Sequence, residues 1–423
     1  MESFELELTE ENIKETILKN YLDNNKRLYT LARLTDSIEN NTNICIDGDW
    51  GCGKTFFINQ FIYLINNREI DSELKLEKDL SDIFSNIETN NIIIYYDAWK
   101  NDHHPDAFES IIFNILNEFP KYKDRVEDFN NIKDILIGFG KNIINKCSYE
   151  IIDFDNIKTY EELAEQIVTV EEKKEKFREL LQKILGKKRM ILIIDELDRC
   201  NPIYASKVLE TIKHFYDFSN ITIIYVSNNK ELANTMKKQY GENFNGYEYL
   251  NKFYDFVITL DNDKNIEYSQ KVLNFNSSTY LPHNISYEMF KKYNFSYRDC
   301  NRFRTMYDMV KNYIERDKNG VFNRKEYNTA FDIILPIIIA FKIKDLVAYR
   351  ECLNGGTSKL KEVLKYIKNS FEKNYTHTGW LKEISGTDEN EDEIEKIIQI
   401  YNKFKDNDMY SELFNECIKM SII

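Results

Sequence analysis

The stretch Gly48-Asp49-Trp50-Gly51-Cys52-Gly53-Lys54-Thr55 constrains the fold of this chain more than any other. It fills every fixed position of G-x-x-x-x-G-K-[ST], whose glycines let the backbone close around phosphates with successive N–H groups turned inward. A short strand, Asn43–Asp47, precedes it, and Phe56–Asn66 follows with Phe57, Phe61, Leu64 and Ile65 on an apolar helical side. Strand, glycine turn and helix in that order bring the positive end of the helix dipole to the same place as the inward N–H groups. Gly48, Asp49, Trp50, Gly51, Cys52, Gly53, Lys54, Thr55 and the following Phe56 are therefore read as a binding segment for ATP or a close relative of it. Lys54 would bridge the β- and γ-phosphates, and the Thr55 hydroxyl would ligate Mg²⁺.

A second element, Met190-Ile191-Leu192-Ile193-Ile194-Asp195-Glu196, is an apolar strand ending in two acids. In an open α/β sheet that ending puts carboxylates at the C-terminal edge, beside the phosphate loop. Asp195 is assigned to the metal through water, and Glu196 to orienting and polarising the attacking water. An adjacent glutamate marks the branch of P-loop proteins with an extra strand between the loop strand and the acidic strand. Strand Asn91–Asp97 is expected to supply it.

Further strands are expected at Ile221–Val226 and Phe256–Leu260, and helices at 12–40 and 202–218. Apolar runs alternating with helices through 43–260 imply a doubly wound parallel α/β core. Asp195 lies 141 residues after Lys54, farther than a minimal core requires. The helical stretch 105–188 accounts for the excess; it contains amphipathic Ile132–Ile144 and charged Glu161–Leu185. The expected organisation is an N-terminal helical segment 1–40, a core of 41–104 and 189–260, a helical insertion 105–188, and a helical lid and C-terminal domain 261–423.

A formal net charge of −14 disfavours bulk electrostatic binding to nucleic acid, leaving only local patches such as Lys187-Lys188-Arg189 and the arginines of 298–304. The N-terminus, Met1-Glu2-Ser3-Phe4-Glu5, lacks a signal-peptide pattern, and no run reaches the ~18 apolar residues of a membrane helix. Ile333–Ile343, interrupted by Pro336, reads as a buried helix. The seven cysteines are scattered without a C-x-x-C pair, as expected of reduced, buried thiols. A cytoplasmic protein without a membrane role is expected.

Further blocks make the chain resemble the KAP family of P-loop NTPases. The loop reads as that family's W-G-x-G-K-T form, with Trp50 two residues before Cys52. Tyr96-Asp97-Ala98-Trp99 is similar to its aromatic-x-A-W block, and Asp195-Glu196-Leu197-Asp198-Arg199-Cys200-Asn201-Pro202 to its D-[DE]-L-D-R-C-x-P. Tyr249-Leu250-Asn251-Lys252-Phe253 resembles its Y-L-x-K-aromatic block, and Phe295-Ser296-Tyr297-Arg298-Asp299 an arginine-bearing end of the ATPase module. The likeness spans roughly residues 20–310. Transmembrane helices that many members insert between the loop and the acidic strand have no counterpart here. Where the family tends to show an Asp after the fourth strand, this chain has Val226-Ser227-Asn228-Asn229, making Asn228, or Ser227, the polar sensor.

Arg298 is a candidate catalytic residue at the γ-phosphate, with Arg302 four residues on and Arg199 after the acidic pair; each could act in cis or in trans. A salt bridge to Asp198 or Glu196 is the alternative for Arg199. Arg304 is expected at the surface, Trp99 in a core or interface near the nucleotide, and His103-His104 outside any metal site. The resemblance implies an ATPase working as a conformational or assembly switch, as a homo-oligomer or with a separate effector protein, in bacterial defence against phage or mobile elements. A small-molecule or nucleotide kinase, a nucleotide-gated scaffold and a DNA-associated motor are the alternatives, and preference for ATP over GTP stays open.

Overall fold

The structure is a computed structural model that describes residues 7–20, 22–37, 41–67, 91–122, 188–213, 220–260, 281–316, 330–374 and 392–405, with isolated positions in 175–185 and at 268. Ile132–Ile144 and most of Glu161–Leu185 lie outside the described residues. The chain divides into two units. One is Leu8–Trp50 with Lys54–Leu260; the other is Asp261–Ile423 with Met1–Glu7 and Gly51–Gly53.

The first unit is built on five parallel strands: β1 Thr42–Asp47, β2 Ile92–Asp97, β3 Met190–Asp195, β4 Ile221–Ser227 and β5 Phe256–Thr259. Their order across the sheet is β2-β3-β4-β1-β5. β3 and β4 are buried at every position, as isoleucine-rich strands covered on both faces should be. On one face Met190, Leu192 and Ile194 share a core with Ile111 and Ile112 of helix Ala107–Glu118, Val208 and Leu209 of Pro202–Lys213, and Leu232 of Asn229–Tyr240. Helix Glu10–Lys19 and helix Asn25–Ser37 both pack against the helix that follows the phosphate loop, Lys54–Asn66.

Two expectations change. The strand between β1 and β3 is β4, and β2 lies at the sheet's edge beyond β3. The extra strand therefore exists, but Ile221–Ser227 supplies it and Ile92–Asp97 does not. Chain order had suggested otherwise, and crossover topology separates chain order from spatial order. The single helix expected at 12–40 is two. Asn20 takes a left-handed conformation (φ 47°) with its N–H bonded to the Ile17 carbonyl, ending the first helix, and Asp23 follows at φ 49°. Asn and Asp tolerate that conformation better than other side chains, so the break is written in Asn20 and Asp23 rather than in the apolar spacing.

In the second unit, helices Leu281–Lys292 and Tyr297–Arg316 share an aromatic cluster in which Phe290 stacks on Phe295 at 4.6 Å and meets Phe303 edge-on at 4.9 Å. Residues Ile333–Phe341 are buried throughout. They run from a π-helical turn, Ala330–Ile334, into helix Leu335–Lys344, which carries Pro336 in its first turn. Helices Leu346–Leu353, Ser358–Asn374 and Glu393–Lys405 follow.

Candidate functional site

Parallel register lines up the strand ends. Asp97 is level with Asp195, Asp195 with Val226, and Asp47 with both Ser227 and Thr259. The phosphate loop after β1, Trp99 after β2, Glu196 after β3 and Asn228 after β4 all follow strand ends at this one C-terminal edge, where ligands bind in open α/β sheets.

The phosphate loop leaves β1 there. Gly51 and Gly53 have φ of +85° and +89°, a region where a side chain would be strained, so these two glycines are required by the turn itself. The Lys54 ammonium donates to the carbonyls of Gly48 at 2.7 Å and Asp49 at 3.1 Å. Its charge is thereby held over the loop it belongs to. Trp50 is half exposed, and its indole N–H donates to Asp198 at 2.5 Å.

Asp195 is the most buried acid of the site, 1% exposed. Its Oδ2 accepts from the Thr55 hydroxyl at 2.9 Å and the Tyr95 hydroxyl at 2.7 Å, and its Oδ1 from the Glu196 backbone N–H at 2.7 Å. Burial pushes its carboxyl above the ordinary range, while these three donors and the Lys54 charge pull the other way. Burial also raises the Tyr95 hydroxyl, helped by the negative charge of Asp195. Magnesium, which P-loop NTPases commonly use, is a hard cation that takes oxygen ligands. A hydroxyl and a carboxylate oxygen 2.9 Å apart at the end of a phosphate loop are donors of that kind, so Thr55 and Asp195 fit such an ion.

Glu196 leaves β3 with φ 60° and ψ 25°, the left-handed region that a glutamate seldom occupies. A short 3₁₀ turn, Leu197–Arg199, then brings Arg199 back so that its N–H meets the Glu196 carbonyl at 3.1 Å. The Arg199 guanidinium forms an ion pair with the Glu196 carboxylate through Nε and Oε2. It also sits 5.3 Å from the centre of the Trp99 ring. Burial first, and the neighbouring Asp195 charge second, push the Glu196 carboxyl up to about 7, with Arg199 opposing.

A sequence profile of the KAP family P-loop domain matches residues 24–313, well over half of the chain. The chain belongs to the KAP family of P-loop NTPases. A search of curated proteins gives no match. The KAP match takes in the loop, both acidic residues and the helix carrying Arg298, and membership makes the chain a nucleotide-binding protein. Among the described residues, no helix is long and apolar enough to cross a membrane.

The remaining KAP blocks have structural work to do. In the Tyr249–Phe253 block Leu250 and Phe253 are buried. Just beyond it the Tyr254 hydroxyl donates to the Asn229 side chain at 3.3 Å, and the Asp255 carboxylate accepts from the Asn43 N–H at 2.8 Å. Asn229 in turn donates from its backbone to Asp47 at 2.9 Å and from its side chain to the Cys45 sulfur at 3.2 Å. Tyr254 and Asp255, which end this segment, thus brace the strand that carries the loop.

Asn228 caps helix Asn229–Tyr240, its side-chain oxygen accepting from the Glu231 N–H at 3.3 Å. A sensor role would fall to its Nδ2. Ser227 is turned inward, donating to the Asn229 side chain at 3.0 Å. Trp99 is half exposed, so it is not a core residue; Arg199, not the core, is its partner. Among the described residues no group of three or more His, Cys, Asp and Glu is gathered as a metal-holding cluster. The described cysteines 45, 52, 200, 300 and 352 are buried thiols.

Within the second unit, a Cβ added to Gly51 would meet Ser296 Oγ at 2.6 Å and Arg298 Cβ at 3.1 Å. Arg298 and Arg302 are exposed, and Arg304 pairs with Asp308 at 3.4 Å. Two partners escaped sequence reasoning. In sequence Tyr95 reads as part of an apolar run, although a phenol in a buried strand wants a partner for its hydroxyl. Asp198 was weighed only as a partner for Arg199, whereas its carboxylate accepts from Trp50.

Proposed function

We propose that the chain binds ATP with Mg²⁺ along Gly48–Phe56 and hydrolyses it, using the cycle as a conformational or assembly switch. The observation that carries this reading is the convergence of Thr55, Asp195 and Glu196 at one sheet edge, with the first two in hydrogen-bond contact. The loop N–H groups and the Lys54 ammonium bind the phosphates and offset their charge. Thr55, and Asp195 through water, would hold the ion, which would supply neutralisation of phosphate charge. Glu196 accepts a hydrogen bond from the attacking water and orients it. A carboxyl raised towards neutrality suits a proton acceptor at physiological pH. Asn228 is assigned as the polar sensor, and Arg298 as the candidate, in cis or in trans, for charge at the γ-phosphate.

The family resemblance supports a defence setting with a separate effector chain; genes adjacent to this one test it. A nuclease gene beside it is expected, and a biosynthetic cluster would favour a kinase instead. Phosphate release tests the reaction itself. Wild type is expected to turn over ATP, Lys54→Ala to lose nucleotide binding, and Glu196→Gln to keep binding while turnover falls by orders of magnitude. Unchanged hydrolysis by Glu196→Gln would remove the assigned water-orienting group.

A further inference from the structure

We infer that Arg199, backed by Trp99, is a positioning residue that fixes the Glu196 carboxylate for its encounter with water. The inference rests on the hydrolysis reading above and adds to it the group that aims the glutamate. Glu196 enters the site on a strained backbone, and such a conformation persists only where the surroundings over-determine it. Two restraints act on the backbone: the Glu196 N–H is held by Asp195 Oδ1 at 2.7 Å, and its carbonyl by the Arg199 N–H at 3.1 Å. Those bonds set the main chain and leave the side chain free to turn about its own torsions. The ion pair to Arg199 removes that freedom.

The chemistry of the pair supports aiming. A carboxylate has two oxygens with about four acceptor sites. Arg199 engages Oε2 through Nε, and the carboxylate has further acceptor sites for a water. A guanidinium is planar and rigid, so one that is itself fixed transmits its orientation to the carboxylate, which a flexible ammonium would not do. Arg199 is fixed by Trp99, whose ring centre lies 5.3 Å from the guanidinium carbon. Trp99 follows the end of β2 and Glu196 the end of β3, and Asp97 and Asp195 are level in the sheet. The sheet edge thus sets the distance that Arg199 bridges. This gives both the A-W block after β2 and the arginine three residues after Glu196 a single purpose.

Kinetics and fluorescence test the relay independently. Arg199→Ala is expected to lower kcat by about 10- to 100-fold, the scale of a misplaced catalytic group, with ATP affinity unchanged. Arg199→Lys should not restore it, whereas Trp99→Phe, which keeps a ring face, should retain more activity than Trp99→Ala. In a Glu196→Gln background Arg199→Ala should cost nothing further, because its effect runs through Glu196. A rise in kcat, no change, or full rescue by lysine would overturn the inference. Trp99 emission, read in a Trp50→Phe/Trp380→Phe background, provides the second arm. Both Arg199→Ala and Glu196→Gln should raise its quenching by acrylamide, the first by removing the stacked group and the second by loosening its anchor. Wild-type chain that never hydrolyses ATP would defeat the hydrolysis reading while this arm still judged the relay. Quenching unmoved by either substitution would defeat the relay itself.

Discussion

Replacing Tyr95 by Phe removes one hydroxyl and tests the environment of Asp195 directly. The phenol donates at 2.7 Å to a carboxylate that is 1% exposed and has two other donors, the Thr55 hydroxyl and the Glu196 N–H. A hydrogen bond to a charged group contributes about 1.5–3 kcal/mol, and phenylalanine keeps the packing of the ring, so that range is the expected loss of stability near neutral pH. It corresponds to about a 10- to 150-fold shift in the folding equilibrium. The sign of its pH dependence follows from the charge. The Tyr95 bond favours ionised Asp195, whose folded pKa already lies above its ordinary value because of burial. Loss of the bond raises that pKa further. The full cost is therefore present while Asp195 is ionised and shrinks as pH falls through its folded pKa. Urea denaturation of wild type and Tyr95→Phe, as a series from neutral pH down through the acidic range, reads both effects. A difference below about 0.5 kcal/mol that does not vary with pH would refute the hydrogen bond to an ionised Asp195.

Three other outcomes follow from the same structure. Gly246→Ala places a Cβ 2.3 Å from the Ala233 carbonyl oxygen, a backbone atom that cannot swing aside, so a loss of about 1–3 kcal/mol in thermal or urea unfolding is expected and a neutral result would contradict the close approach. Gly53→Ala forces a side chain onto φ +89°, costing about 1–2 kcal/mol in the loop; equilibrium dialysis should show weakened ATP binding, and wild-type affinity would contradict the loop geometry. Burial pushes the Cys45 thiol up to about 12, so native Cys45 should resist iodoacetamide at neutral pH while the urea-unfolded chain labels. Equal labelling rates by mass spectrometry would contradict its burial.

The loop, the acidic strand and the strand–helix alternation were legible because each rests on local rules: glycine at positive φ, a phosphate-facing lysine, buried strands rich in isoleucine. Sheet order was not legible in the same way. Nothing local in Ile92–Asp97 or Ile221–Ser227 tells which one lies beside β1, since both are apolar strands ending in polar residues. Pairings across long sequence separations were also hidden. Trp50 meets Asp198 and Tyr95 meets Asp195 only because parallel register brings the strand ends level. For Arg199 the sequence offered two acidic partners, Asp198 beside it and Glu196 three residues back. The 3₁₀ turn after a left-handed Glu196 selects the second and leaves Asp198 to Trp50.

Hydrolysis as proposed requires Glu196 to act on the attacking water and not in nucleotide binding. The most direct measurement mixes Glu196→Gln protein with Mg²⁺ and ATP labelled on the γ-phosphate, removes free nucleotide by rapid gel filtration, and determines what remains bound. The account predicts about one intact ATP per site, retained long after wild-type protein has converted its share to ADP and phosphate. Bound ADP appearing at the wild-type rate, or no ATP retained at all, would contradict it.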